Sequence, residues 1–467
     1  MIRHLATVCF LVAAIGACAP GDDDDDDGDA GIVDLDDADG DTIADEHEGR
    51  SADIDTDGDG TPDWQDLDSD DDGIPDYREA GDALTGTPPV DKAGLVTLIN
   101  SIRSAVPNTG FAVTGYEDFS GGGGLAGNQP FYMRHRVMTT NTAAGLSSIT
   151  TQVNTYATFP GSGGDGPESG WEMLFQVATG LGTSIGGASV PAFNPATAFP
   201  ATPPAGEAIG DIPGVGFRTG SLPMVVWVTD APNHSGFPAG AATKAAALAQ
   251  ITTAAIRVIG VVSSVGDGDG RPEVLEAVNA SGAVVPPTAW GPAGSRPASC
   301  AVGQCCTGLN GVGEASAGGM CPLIFRIDGT GAGLGTAVAD AVEALTGFGT
   351  LDIGADPQDD PSDSVDAVAE FVERIEANPT APAPCASGMV AIDVAPVDGI
   401  NDTFQSVTPG TTVCFDVIPK MNTSVMPTDM PQMFMATIVV EGDGITTLDT
   451  RDIFFLVPPE IPDVPID

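Results

Sequence analysis

The sequence predicts a doubly wound α/β domain, preceded by acidic repeats and followed by a small β-sandwich. Three observations predict it. Between residues 92 and 377, stripes of helical spacing alternate with short apolar runs of strand character, the pattern of a sheet covered by helices on both faces. Ahead of that region, carboxylates recur at every second position with a glycine at the sixth. After residue 385 the apolar period drops to two, and Pro and Gly crowd the turns, as expected for strands with one face in water.

Composition bounds the partners. The 467 residues carry 66 acidic and 16 basic side chains, a formal charge of −50. Between Asp22 and Asp91 there are 29 acidic residues against Arg50 and Arg78, so this stretch alone carries −27. Such a polyanion excludes nucleic acid as a partner and is repelled by anionic headgroups. With 42% hydrophobic residues, sizeable cores form elsewhere.

Residues 1–17 read as a signal peptide. Arg3 supplies the positive start, and Leu5–Ile15 is an apolar run of 11 residues, short of the roughly 20 that span a bilayer. The run leads into Ile15-Gly16-Ala17-Cys18, which resembles a bacterial lipoprotein lipobox. The resemblance implies that Cys18 is acylated and begins the mature chain, anchoring it to a membrane through lipid. Ala19 after the cysteine resembles the outer-membrane sorting pattern, so the expected place is the outer membrane, exposed at the cell surface. An ordinary signal peptide is the alternative, because Ala17-Cys18-Ala19 also fits an A-x-A cleavage site. Residues 18–33 follow as an acidic linker with six consecutive aspartates, Asp22–Asp27.

Export sets the reading of the cysteines. Cys300, Cys305, Cys306, Cys321, Cys385 and Cys414 form an even set, which reads as disulfides in an oxidising compartment. Cys385 and Cys414 share one β-rich segment and are expected to pair. The four between 300 and 321 allow three connectivities. A Cys₄ zinc site is the rival there, but paired C-x₂-C spacing is missing.

Residues 34–91 carry the repeats. Asp55, Asp57, Asp59, Gly60, Asp63 and Asp66 recur 13 residues later as Asp68, Asp70, Asp72, Gly73, Asp76 and Glu79. A weaker copy has Asp37, Asp39, Asp41, Asp45 and Glu48, with Thr42 in place of the glycine. A curled loop turns every second carboxylate onto one cation, the glycine permits the sharp turn, and a later acid completes the six to eight oxygens calcium takes. EF-hands share the spacing but need flanking amphipathic helices, and prolines at 62 and 75 follow the glycines instead. The segment resembles thrombospondin type 3 repeats, which implies calcium ions in place of an apolar core. A solvated acidic linker is the plain alternative.

The middle region supplies its elements in order. Leu95, Leu98, Ile99, Ile102 and Val106 have helical spacing, Phe111–Tyr116 is β-prone, and Trp171, Leu174, Phe175 and Ala178 form a second helical stripe. Met224–Thr229 reads as a buried strand, Ala241–Ile256 as an alanine-rich helix and Arg257–Ser264 as a strand. Arg271–Asn279 is helical, Pro322–Ile327 a strand, Gly335–Leu345 helical. His135 in Arg134-His135-Arg136 is placed at a strand start. Ligands of such sheets bind at the carboxyl ends of the strands, and acids stand there: Asp118 after the first strand, Asp230 after Met224–Thr229, and Asp165 and Glu168 ahead of the Trp171 helix.

This set resembles the von Willebrand factor A fold and, within it, the I-like domain of integrin β subunits. The resemblance covers residues 91–350. It rests on Asp165-x-Pro167-Glu168 with Gly170-Trp171 following, and on Thr229-Asp230-Ala231-Pro232-Asn233-His234. It implies that Glu168 ligates the metal-ion-dependent adhesion site. Asp118, Asp165, the Pro167 carbonyl and Glu168 would serve a neighbouring calcium site, and Asp230 the adjacent metal position. The cation implied is calcium, with magnesium as the other divalent ion at this face. The chain departs from the family where the first strand should end in D-x-S-x-S. The nearest stretch, Asp82–Thr87, has Leu84 and Gly86 at the hydroxyl positions, and no apolar strand precedes it. Either the central strand is lost or another segment replaces it. Without a metal, these acids would serve as caps of loops and helix N-termini.

Val365, Val368, Phe371, Val372 and Ile375 mark a last helix. Residues 378–467 then form the β-sandwich, with a stiff Asn378–Pro384 linker, strands at Ala391–Val394, Val413–Val417, Phe434–Val440 and Ile453–Val457, and the Cys385–Cys414 staple. No enzyme is expected. Gly182-Thr183-Ser184-Ile185-Gly186 matches G-x-S-x-G by chance, in a Gly-rich loop without a strand before it. The reading is a calcium-binding, lipid-anchored surface protein whose A-type domain binds a protein or polysaccharide. The rivals are a structural envelope protein with a metal-free A-type domain and an exported hydrolase.

Overall fold

The computed structural model describes residues 8–16, 61–65, 99–100, 102–103, 106, 108–124, 127–154, 167–229, 231–263, 270–292, 295–327, 334–394 and 396–460. Two compact units divide the chain. One comprises Cys9–Arg218 and Pro223–Leu345, the other Met1–Val8, Thr219–Leu222 and Thr346–Asp467. The divide after the α/β region therefore falls at 345/346, where the sequence places it at 377/378.

The first unit is a mixed α/β structure. Its strands are β1 (Val8–Gly16), β2 (Gly110–Tyr116), β3 (Tyr132–Thr139), β4 (Leu222–Thr229) and β5 (Arg257–Ser263). Four two-residue strands follow: β6 (Val284–Val285), β7 (Gln304–Cys305), β8 (Glu314–Ala315) and β9 (Cys321–Pro322). β10 (Ile324–Ile327) completes the set. The main sheet runs β10-β5-β4-β1-β2-β3. β1 pairs parallel with β2, and β4 and β10 each pair parallel with β5. β3 runs antiparallel along the edge. Helices α1 (Ala143–Asn154), α2 (Gly170–Thr179), α3 (Lys244–Thr253), α4 (Arg271–Ala280) and α5 (Leu334–Phe348) alternate with these strands.

Every residue of β2 and of β4 is buried, which is why both read as continuous apolar runs and not as alternating ones. Trp171 of α2 meets Trp227 of β4 edge-on, with centroids 5.3 Å apart. The Trp227 indole N–H donates to the Tyr116 hydroxyl at 2.9 Å, and that hydroxyl donates to the Val228 carbonyl at 3.3 Å. Each buried polar tip thus has a partner. Gly180 ends α2 in the left-handed region at φ 60°, its N–H bonded to the Gln176 carbonyl.

The central position is the main surprise. The backbone of Val8–Gly16, within the run read as a leader, stands between β2 and β4. The physical reason is demand from both sides. Two buried strands carry backbone donors and acceptors that need partners, and a nine-residue apolar run can supply them. Removal as a leader and service as β1 exclude one another in one molecule.

Other differences are smaller. Ile99 and Ile102 are buried, and the described parts of their segment, 99–100 and 102–103, are helical. His135 lies inside β3, not at its start. α1 carries a short apolar stripe, Leu146, Ile149 and Val153, of which Ile149 and Val153 are buried. In the β6–β9 insertion the disulfides are Cys300–Cys306 and Cys305–Cys321, so these sulfurs form no Cys₄ zinc site. The buried Arg296 guanidinium ties the insertion together through the carbonyls of Gly291, Ala301, Gln304 and Pro287. Among the described residues no helix is long and apolar enough to cross a membrane.

The second unit contains β11 (Leu351–Asp359), α6 (Ala367–Phe371), β12 (Val372–Ala377), β13 (Ala391–Ile392), β14 (Thr403–Val407), β15 (Phe415–Pro419), β16 (Gln432–Gly442) and β17 (Thr446–Val457). A five-stranded sheet, β13-β14-β11-β16-β17, faces the β12-β15 ribbon. Val372 and Ile375 from the ribbon and Ile438 from the sheet share a core. The helix expected over Val365–Ile375 stops after Phe371. β12 then pairs with β15, because Val372 and Ile375 gain a strand partner that a longer helix would forfeit. Cys385 and Cys414 are bonded, as expected.

Candidate functional site

Three connections meet beyond the carboxyl ends of β2 and β4. Asp118 follows β2 by two residues and is fully buried. Glu168, also fully buried, stands two residues ahead of α2. The turn after β4 carries Asn233 and His234. Backbone bonds clamp this turn to Glu168: the Glu168 N–H donates to the Pro232 carbonyl at 2.9 Å, and the His234 N–H to the Glu168 carbonyl at 2.7 Å.

Ser169 joins the first two connections. It occupies the N-cap position of α2, yet its hydroxyl caps nothing. It donates to Asp118 Oδ1 at 2.8 Å instead. A serine there would ordinarily accept from the first turn of the helix, so a local contribution of about 1 kcal/mol goes to fixing a buried carboxylate. His234 Nε2 lies 3.8 Å from Asp118 Oδ2, and its ring packs on Phe237 at 4.8 Å. Gly170 makes the approach possible: a Cβ there would fall 2.1 Å from Asn233 Oδ1 and 2.4 Å from Trp227 Cζ2. Glu172, in the first turn of α2, accepts from Gln176 at 2.8 Å and from the Ala242 N–H at 2.5 Å.

More acids surround this cluster. Burial pushes the Glu117 carboxyl up to about 7, against the opposing pull of the Tyr132 hydroxyl that donates to it at 2.6 Å. Burial also holds Glu273 above the usual carboxylate range, although the Asn233 N–H donates to it at 3.0 Å. Burial thus places these carboxylates in a low-dielectric setting that disfavours their charged forms.

Of the residues expected at the A-type face, the structure brings together Asp118, Glu168 and the half-buried Pro167 beside it. Asp165 and Asp230 lie outside the described residues. So do Cys18 and the repeat acids Asp37, Asp39, Asp41, Asp45, Glu48, Asp55, Asp57, Asp59, Asp66, Asp68, Asp70, Asp72, Asp76 and Glu79. Asp63 is described by its backbone alone, at the start of the short 3₁₀ turn Asp63–Gln65. Among the described residues no group of three or more His, Cys, Asp or Glu side chains is placed to hold a metal. Two carboxylates fall short of the six to eight oxygens calcium takes, so the described residues by themselves do not complete a calcium site. The sequence marks the His234 turn by its Asp-Ala-Pro-Asn-His run, whereas Ser169 carries no distinguishing local signal, because a serine ahead of a helix signals only a cap. The Ser184 loop follows α2 and packs on the connection after β2, where the Gly121 N–H donates to the Gly186 carbonyl at 2.7 Å and Ile185 meets Phe119.

No family model matches the chain, and no curated protein matches it. Among solved structures, the pilus adhesin SpaC from Lactobacillus rhamnosus GG in its open conformation aligns at 9% identity with a TM-score of 0.27, covering 78% of this chain and 40% of that one. Another crystal form of the same adhesin aligns at 10% identity with the same score and coverage. The chain thus spans less than half the length of these adhesins.

Proposed function

We propose that this chain is a calcium-dependent surface adhesion module of the von Willebrand factor A type, with its acidic repeats serving as a calcium-stiffened stalk. One observation carries the reading: Asp118 and Glu168, from separate connections, are both fully buried at one edge of the sheet. Carboxylates that converge from separate connections offer oxygen donors of the kind calcium takes. The sheet order, with an antiparallel edge strand beside parallel neighbours, supports the A-type assignment. Asp165 and Asp230 would complete the ligand set, and the bound ligand would be a protein or a polysaccharide. No catalytic role is proposed.

A second reading has its own support. The Ser169 and His234 contacts to Asp118 favour a structural envelope protein whose A-type domain works without metal. Thermal unfolding of the full chain, followed by emission of the buried Trp171 and Trp227, separates the two. Calcium should raise the midpoint more than magnesium does. Binding to the folded state stabilises by about 2.7 kcal/mol at a hundredfold excess over Kd. Glu168→Ala should remove that gain. A wild-type midpoint indifferent to calcium selects the structural reading.

The lipid-anchored form of the proposal begins at Cys18, and cutting there takes β1 away. The intact mass of the exported chain distinguishes the outcomes. An acylated Cys18 at the terminus upholds the anchor and the outer-membrane location. A chain that keeps residues 8–16 upholds β1.

A further inference from the structure

The second unit carries an apolar surface that its own fold leaves in water. Met433 and Met435 of β16 stand opposite Leu456 and Phe454 of β17 in the ladder. Three of these four side chains are 62–66% exposed, and Met435 is half-buried. The alternation explains the placement: Phe434, Ile453, Phe455 and Val457 turn inward to the core, so the residues between them turn outward. The loop ahead of β16 adds Met421, Met426 and Met430, which are 66–82% exposed. Five of the chain's 12 methionines thus fall between 421 and 435.

The loop is held in place. The Gln432 amide donates to the Met426 carbonyl at 2.9 Å, Asn422 bonds Val425 through both ends of its amide, and the Glu460 N–H donates to the Thr428 carbonyl at 2.7 Å. Ordered exposed methionine, phenylalanine and leucine side by side mark a docking surface. Methionine suits one because its unbranched, polarizable side chain repacks around an apolar partner.

Charge identifies the partner. Residues 351–460 contain 19 acidic side chains and three basic ones. All three basic groups are engaged within the unit: Arg374 with Glu373 and Glu376, Arg451 with Asp449, and Lys420 with the Ala369 carbonyl. Asp429, Asp452 and Glu460 lie within a few residues of the patch along the loop and β17. A second copy would bring the same acids against these. An anionic bilayer would meet them without a basic residue to attract it.

We propose that the outer face of β16–β17, with the methionine loop, docks a cationic amphipathic helix, its apolar stripe on the Met–Phe–Leu columns and its basic flanks on the surrounding acids. The inference is independent of the calcium-site reading, and the test runs in calcium and in chelator.

The probe is an 18-residue labelled peptide of Leu and Lys at helical spacing. Its controls are a scrambled peptide of identical composition and a Leu/Glu counterpart, titrated against the full chain by fluorescence anisotropy. The Leu/Lys helix should bind, the scrambled peptide at least tenfold more weakly, and the Leu/Glu peptide not at all. The triple variant Met433→Ser, Phe454→Ser, Leu456→Ser should weaken binding at least tenfold with an unchanged melting midpoint, since all three side chains face solvent. Phe454→Ser alone serves if the triple variant does not fold. Equal binding by variant and wild type overturns the proposal and leaves only diffuse attraction to the acidic repeats. A dimer in sedimentation that Phe454→Ser dissolves, or patch-dependent adsorption to phosphatidylcholine vesicles, overturns it in favour of a second copy or a lipid surface.

Discussion

At Gly170 a single added methyl has no room, because Asn233 Oδ1 and Trp227 Cζ2 already occupy the space. Gly170→Ala should therefore push α2 from β4 and lower stability by about 1–3 kcal/mol, the usual cost of overpacking. Denaturant titration checks this; an unchanged midpoint would mean that the site tolerates a looser fit. Two buried titratable groups give a pH signature of opposite sign. His135 donates from Nδ1 to the Arg136 carbonyl at 2.6 Å, has Ser148 at Nε2, and is lowered by burial to about 4. A base depressed in the folded state contributes stability that is full above its unfolded value of 6.5 and is lost as pH falls toward 4. Glu117, raised to about 7, does the reverse: its contribution is full below 4.5 and is lost as pH rises through 7. Each is worth about 3 kcal/mol at most, so the two slopes oppose one another. In chelator, His135→Asn should gain stability relative to wild type on acidification from pH 6.5 to 4.5, and Glu117→Gln should lose it. Parallel profiles for all three proteins would refute both assignments.

At the scale of elements, β1 separates the two fates of the N-terminal run. A chain starting at Cys18 leaves β2 and β4 without their shared neighbour, and both are buried along their whole length. The unmade backbone bonds would exceed the roughly 5–15 kcal/mol by which domains are stable. The truncated chain should show no cooperative unfolding of the first unit in calorimetry. A melting transition like that of the longer chain would show that this strand is dispensable. In the second unit, the Cys385–Cys414 bridge closes a separation of 29 residues. Replacing both cysteines with serine should cost about 3–4 kcal/mol on the loop-entropy model. The loss should appear in the second unit's transition only, since the first unit has its own two bridges.

At the scale of the molecule, charge dominates. On the calcium-stalk proposal, the −27 between Asp22 and Asp91 is offset by bound cations, because the stretch has few apolar residues to set against self-repulsion. A fragment from Gly28 to Asp91 should contract in small-angle scattering as calcium enters the range of about 10⁻⁴–10⁻³ M typical of extracellular sites, and expand again with chelator. Profiles unchanged across that range would leave a plain acidic linker. Monovalent salt should act differently, shrinking the chain gradually by screening and without a saturating midpoint.

Much of the architecture was legible because it is written in local pattern. The continuous apolar runs of β2 and β4, the α2 stripe from Trp171 to Ala178 and the period-two strands after Cys385 all report burial directly. The convergence of Asp118 and Glu168 was legible for the same reason, since acids at strand ends and helix starts meet once the sheet is assembled. Tertiary structure decided what no local pattern encodes. Leu5–Ile15 has the length and polarity of a leader, and the slot between two buried strands makes Val8–Gly16 a strand. Val372–Ala377 continues a helical stripe, and pairing with β15 makes it extended. Four clustered cysteines allow three pairings, and the ladders of the insertion select one. Ser169 looks like a cap, and a buried carboxylate 51 residues away takes its hydroxyl. At Ser169 the local cap is worth about a kilocalorie, whereas a buried carboxylate deprived of its donor costs more, so the distant partner prevails.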